Sequence, residues 1–319
     1  MNLTIRESKG MELFSALLKG AGTQEQRREY IERYQEEAEK KMGKPLFDMT
    51  AEEFEEYKAL EENLSFGRLE GYKCRLCRNK GYTVVREGIY TIHKVCSCMS
   101  RRNHGEISEE QREFENLLTT RTFENFKINS DWQRDMLKRV KTWTREKEYP
   151  FLYIGGKTST GKTHLAIAAL YSLIQRGFTG KYVSWRKESR ELKMRMTEYG
   201  YYEPKIKELK TVPVLLIDDF LWQPNNALPS DEDFRLSKEI IDARINMNLR
   251  TIFTSNYTLR ELTEITEEIG SRIYQACGST KNFVVTVAKE AKNYRMQIQP
   301  TLMELETDEV NPFLEGARA

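Results

Sequence analysis

The ten residues GGKTSTGKTH at 155–164, set directly behind the apolar run PFLYI, leave this chain few folds to choose from. Gly156-Lys157-Thr158-Ser159-Thr160-Gly161-Lys162-Thr163 fits GxxxxGK[ST] in full, with His164 next in line. Two glycines let the backbone curl so that successive N–H groups point inward, and the helix that follows adds its positive N-terminal end. Such a turn holds phosphate oxygens. Lys162 is expected to reach the β- and γ-phosphates, and the Thr163 hydroxyl to hold Mg²⁺. The motif carries weight only between a buried strand and an apolar helix, and FLYI and THLAIAALYSLIQR supply both. Residues 156–164 are therefore assigned to ATP or ADP.

Strand and helix patterns alternate from about residue 120 onward. FLYI, KYVSW, VPVLLIDDF, RTIFTSN and NFVVTVA read as strands; THLAIAALYSLIQR, RKESRELKMRM, DEDFRLSKEIIDARINMN and LRELTEITEEIG read as helices. This alternation predicts an α/β fold, a parallel sheet covered by helices on both faces. VLLIDDF buries its strand and delivers Asp218 and Asp219 at the C-terminal end, where open parallel sheets bind ligands. Asp218 is placed to hold Mg²⁺ and Asp219 to activate water. Asn256, at the tip of TIFTSN, is a candidate to orient that water or sense the γ-phosphate.

Ahead of this region lie two smaller ones. Residues 1–67 read as charged helices, with capping boxes at Thr23/Gln26 and Thr50/Glu53 and a break at GKPLFDM. Their thin apolar stripes suit a small bundle that docks a partner. In 68–104, Cys74-x-x-Cys77 and Cys96-x-Cys98 flank TVVREGIYTIHKV, which alternates like a hairpin. Two such knuckles close a tetrahedral four-thiolate site, so Cys74, Cys77, Cys96 and Cys98 are assigned to Zn²⁺, with His93 as the alternative ligand. The fifth cysteine, Cys277, reads as a structural thiol. Residues 105–119 form a helical linker, 120–298 the nucleotide-binding domain and 299–319 a polar tail.

Charge excludes a global nucleic-acid signature: Lys+Arg 51 against Asp+Glu 49 leaves a net +2. Any basic surface must be local, and SWRKESRELKMRM is the candidate, with Trp185 available for stacking among Arg186, Lys187, Arg190, Lys193 and Arg195. No apolar stretch approaches the ~20 residues that span a bilayer, and the N-terminus lacks the features of a secretory signal. With cysteines clustered as metal ligands, the chain reads as soluble and cytoplasmic.

The order of RTFENF (121–126), FLYIGGKTSTGKTHLAIA, VLLIDDF, TIFTSN, GSRIYQACGST and KNYR resembles the AAA+ ATPases, and among them the bacterial and phage helicase loaders of the DnaC/DnaI type. The resemblance covers roughly 120–298. It implies sensor 1 at Asn256, an arginine finger at Arg272 acting in trans on a neighbour's γ-phosphate, and sensor 2 at Arg295. An arginine suits both roles because its fixed charge stabilises a transferring phosphoryl group. It also implies a reduced helical lid, a zinc-binding N-terminal region that engages a hexameric replicative helicase, single-stranded DNA as a ligand, and self-association. Asp219 departs from the glutamate usual at its position, which implies slow or partner-stimulated hydrolysis. Two readings stay open beside the loader: an IstB-type transposition-assisting ATPase, and a zinc-dependent nucleic-acid-binding adaptor switched by ATP.

Overall fold

Five strands pair side by side in the computed structural model, which describes residues 24–70, 73–88, 90–99, 109–223, 227–278 and 283–287. They are β3 (Phe151–Gly156), β4 (Gly180–Ser184), β5 (Val214–Asp218), β6 (Arg250–Ser255) and β7 (Val284–Val287), in the order β4-β5-β6-β3-β7. Every pairing is parallel. All residues of β3 and β5 are buried. Since successive strand residues point to opposite faces, both faces are covered, as expected of a parallel sheet between helices. The helix behind the phosphate loop, α5 (Lys162–Gln175), packs against the centre of the sheet with Leu165, Ala166, Ala169, Leu170 and Leu173 buried. The expected α/β architecture is present.

Some helices depart from the sequence expectation. α4 (Asp131–Trp143) and α7 (Tyr199–Thr211) were not anticipated. Gly200 and Pro204 make YGYYEP look like a turn, yet burial of Ile206 and Leu209 holds the segment helical. α6 (Trp185–Met194) and α8 (Asp231–Asn246) follow the expected pattern. LRELTEITEEIG is two helices, α9 (Leu259–Ile265) and α10 (Glu267–Ala276), because Thr266 is extended at φ −148°.

The N-terminal part builds its own small core. α1 (Gln24–Met42), a 3₁₀ turn (Leu46–Asp48) and α2 (Ala51–Leu64) enclose Ala38, Met42, Leu46, Met49, Tyr57 and Leu60. The Thr50/Glu53 capping box opens α2 as expected. The hairpin β1 (Tyr82–Glu87) and β2 (Tyr90–Val95) closes with Glu87 opposite Tyr90. α3 (Glu109–Thr120) leads into the sheet domain. Thr23, Arg295 and the tail 299–319 lie outside the described residues, as does the region where a lid would follow β7. Among the described residues, no helix is long and apolar enough to cross a membrane.

A buried polar junction ties these parts together. The Asn63 amide donates to the carbonyls of Val84 at 3.0 Å and Gln175 at 2.9 Å, and accepts from the Val84 N–H at 2.8 Å. Glu56 receives Arg86 at 2.8 Å on one oxygen and Arg176 on the other. Arg176 also donates to the Thr144 carbonyl, and the Arg86 N–H to Gly177 at 2.7 Å. The far end of α5 is thus shared by α2, the hairpin and α4. Breaking a buried pair strands its partner charges at about 3–5 kcal/mol. Glu56→Ala is expected to lose stability of that order, read as a lowered urea midpoint of the full chain, with Glu56→Gln losing less.

Candidate functional site

β3 ends at Gly156, and the chain turns through 157–161 before α5 begins. Gly156 (φ 110°), Ser159 (φ 58°) and Gly161 (φ 90°) are left-handed, the geometry that curls backbone N–H groups into an anion cradle. A Cβ on Gly161 would stand 2.8 Å from the Phe126 ring, so RTFENF lies directly against the loop. His164 meets the Thr122 carbonyl at 2.8 Å and packs edge-on to Phe126. It anchors that segment. Thr160 donates to the Lys157 carbonyl at 2.9 Å, and Thr158 is exposed.

Lys162 is only 5% exposed. Its ammonium donates to the carbonyls of Gly156 at 2.8 Å and Lys157 at 2.7 Å, and to Asn256 Oδ1 at 3.0 Å. Burial pushes its pKa down to about 8, against the opposing pull of Asp219 and Asp218. The loop, Asn256 and both aspartates therefore converge on one cation.

Asp218 is buried among hydroxyls. Thr163 donates to its Oδ1 at 2.9 Å, Thr254 to the same oxygen, and Tyr182 to Oδ2 at 3.1 Å. The Thr163–Asp218 pair is the donor set a Mg²⁺–nucleotide complex requires, hydroxyl and carboxylate beside a phosphate cradle. At Asp219 the backbone turns left-handed (φ 52°), and its N–H donates to the Thr254 hydroxyl at 3.1 Å. Tyr182 and Thr254 escaped the sequence reading. Nothing in KYVSW or TIFTSN reveals that β4 and β6 flank β5, and only that order brings both to Asp218.

Arg272 stands apart from this cluster. It pairs with Asp242 at 2.6 Å and with Glu268 at 3.3 Å, half-exposed on α10. The basic segment around α6 also divides. Trp185 is 1% exposed and packs edge-on to Phe220 beside β4, so the expectation that it stacks on a ligand is corrected. Lys193 pairs with Asp233 at 2.8 Å; Arg195 pairs with Glu198 at 2.6 Å and lies over the Tyr201 ring. Arg186, Lys187 and Arg190 remain on the exposed side.

The four clustered cysteines form a second centre. Their Sγ atoms all lie within 4.8 Å of one another, with Cys74–Cys96 at 3.8 Å and Cys77–Cys98 at 3.5 Å, and all four are buried. Four sulfurs at ~2.3 Å around a tetrahedral Zn²⁺ stand about 3.8 Å apart. The tetrad fits that ion. Left-handed Arg78 and Asn79 fold the first knuckle; Asn79 accepts the Cys74 N–H at 2.8 Å, and the Gly81 N–H reaches the Cys77 sulfur at 3.4 Å. Hydrogen bonds from Cys74 and Cys96 pull the Cys77 thiol down, while those to Cys74 and Cys77 push Cys96 up and burial pushes Cys98 up. His93 pairs with Glu62 at 2.9 Å and stacks on Tyr82, outside the tetrad. Cys277 is buried, which pushes its thiol up and leaves it inert.

A family model described as IstB-like ATP binding protein matches residues 99–269, more than half of the chain. The chain belongs to this family. Its relatives include the phage-like element PBSX protein XkdC of Bacillus subtilis (strain 168), 25% identical over 71% of this chain and 87% of that protein. The replicative helicase loader DnaI of the same organism is 27% identical over 44% of this chain and 45% of the loader. A crystal structure of the DnaC helicase loader aligns with 54% of this chain and 98% of its own at 24% identity and a TM-score of 0.46.

For this IstB-like ATPase the pKa of Lys162 has a direct consequence. Only the ammonium form neutralises phosphate, so binding above pH 8 requires proton uptake. ATP affinity is expected to be level below about pH 8 and then to fall, approaching tenfold per pH unit. Titration with a fluorescent ATP analogue between about pH 7 and 9.5 measures this; Lys162→Arg, whose charge persists, is expected to abolish the step.

Proposed function

We propose that this IstB-like ATPase is an ATP-dependent loader that places a hexameric replicative helicase on single-stranded DNA at replication initiation. The observation that carries this reading is the shared helix. α5 begins at Lys162 in the phosphate loop and ends in the Asn63–Glu56 junction that holds α2 and the cysteine hairpin. A loader needs its partner-binding part to answer to nucleotide, and here one rigid element joins the two. The relatives named replicative helicase loaders support the same reading; the chain spans 45% of the Bacillus subtilis DnaI protein and 60% of the Escherichia coli (strain K12) DnaC protein.

In this reading, residues 1–67 and the zinc hairpin 68–104 dock the helicase, 105–119 connect, and 120–298 bind nucleotide, neighbouring copies and DNA. ATP held with Mg²⁺ would pass its γ-phosphoryl group to water, leaving ADP and phosphate, and so reset the loader. Backbone N–H groups of 156–164 cradle its phosphates, Lys162 neutralises them, and Thr163 with Asp218 holds the metal. Asp219 orients water, less well than a longer glutamate, so the isolated protein hydrolyses ATP slowly. Asn256 senses the γ-phosphate. Arg272, released from Asp242 and Glu268, serves a neighbour's site, and Arg295 serves its own.

The family's IstB-like description favours a second reading, a transposition-assisting ATPase with the same core. Capture of the full chain on the host's hexameric helicase or on a transposase distinguishes the two. Capture by the helicase, lost in Cys74→Ser together with zinc while ATP binding persists, is the expected result; capture by the transposase alone would reject the loader. In the helicase- and DNA-stimulated ATPase assay, Arg272→Ala is expected to lower turnover about a thousandfold with ATP affinity unchanged. Rapid turnover by the isolated wild-type protein would remove the role given to Asp219.

A further inference from the structure

A cleft of about 420 Å³ opens between the first cysteine knuckle, the end of α3 and the middle of α5. Its walls carry Lys73, Arg75, Arg78, Thr119, Tyr171 and Phe66, and none of its lining residues is acidic. Lys73 and Arg75 are exposed and enter no ion pair among the described residues. Cys74 of the zinc tetrad also lines the cleft. Four thiolates around Zn²⁺ leave about two negative charges, which three cations without a carboxylate outweigh, so the cleft favours an anion.

The aromatic wall is the unusual part. Phe66 is 83% exposed, and the backbone that follows it is tied to the knuckle. The Gly67 N–H donates to the Arg78 carbonyl at 2.7 Å and the Leu69 N–H to Asn79 at 3.0 Å, which pins the segment to the knuckle turn. A Cβ on Gly67 would fall 2.2 Å from the Asn79 carbonyl oxygen, so only glycine allows this approach. The Arg78 guanidinium lies 5.2 Å from the Phe66 ring centre and donates to the Leu64 carbonyl at 2.5 Å. A solvent-facing ring beside cations that no carboxylate neutralises is what a base-and-phosphate repeat requires: stacking for the base, charge for the backbone. An acidic peptide would satisfy the cations and leave the ring in water.

We infer that this cleft is a binding site for single-stranded nucleic acid, with a base stacked on Phe66 and the adjoining phosphates on Lys73, Arg75 and Arg78. The inference rests on the single-stranded DNA reading proposed above and moves part of that contact from the sheet domain to the cysteine knuckle. Tyr171 lies nine residues beyond Lys162 on α5, about 14 Å along the helix axis. A strand in the cleft therefore touches the helix that starts at the phosphate loop.

Fluorescein-labelled oligothymidylate, titrated by anisotropy into the zinc-loaded full chain over a range of salt, tests this. Phe66→Ala is expected to weaken binding about fivefold or more. Lys73→Ala/Arg75→Ala is expected to lower the slope of log affinity against log salt by about 1.4. Both variants change exposed side chains, and unchanged zinc content and urea midpoint verify the fold. Arg186→Ala/Arg190→Ala, on α6, is the comparison. If only the α6 variant weakens binding, the cleft is overturned and the DNA reading stands. If the wild-type chain binds no oligothymidylate at any salt, both fail. If the knuckle variants keep wild-type DNA affinity and salt slope but lose helicase capture, the cleft is overturned and belongs to a protein partner.

Discussion

The buried ammonium of Lys162 is the constraint around which the sheet domain is arranged. A lysine this deep needs several acceptors, and the loop carbonyls of Gly156 and Lys157 with the Asn256 side chain provide them. Asp218 and Asp219 add the compensating field. The loop at the end of β3, Asn256 just beyond β6 and the aspartates at the end of β5 must therefore arrive at one point. Parallel strands in the order β4-β5-β6-β3-β7 deliver all of them at the C-terminal end of the sheet. The polar cluster that satisfies the lysine is the one a triphosphate and its metal would enlist.

The opposite end of α5 imposes a second demand. There the helix must terminate beside two guanidiniums and leave the Gln175 carbonyl satisfied, and α2 supplies Glu56 and the Asn63 amide to meet them. Neither end of the helix can shift alone without stranding buried polar groups, an expensive outcome in a low-dielectric interior. The N-terminal helices and the hairpin are consequently bound into the same body as the phosphate loop. Without that junction, no mechanical relation between cysteines and nucleotide would follow.

What could be read in the sequence was local. The phosphate loop, the strand ending in Asp218–Asp219, the Thr50/Glu53 cap and the two knuckles each lie within a few residues and announce their own geometry. What could not be read depended on neighbours far away in the chain. Tyr182 and Thr254 reach Asp218 only through strand order. Trp185 looked available for stacking because its helix is basic, yet it starts that helix at the sheet edge and fills the space beside Phe220. Gly200 and Pro204 hid α7, whose buried face overrides their poor propensity. The Glu56 junction joins three segments that share no pattern at all.

Arg272 shows how such neighbours could make assembly depend on nucleotide. Its guanidinium is held by Asp242 and Glu268, in pairs that are all partly exposed. Exposed pairs of this kind contribute about 0–1 kcal/mol each, so little opposes their release. A triphosphate presented by an adjoining copy concentrates more charge than two screened carboxylates, and a planar guanidinium suits its oxygens better. Under the proposed trans role, an empty neighbour offers nothing that outcompetes Asp242, whereas an ATP-filled one does. The intrachain pair would then act as a resting position that only the nucleotide of a neighbouring copy displaces, making contact between copies a reading of their nucleotide state.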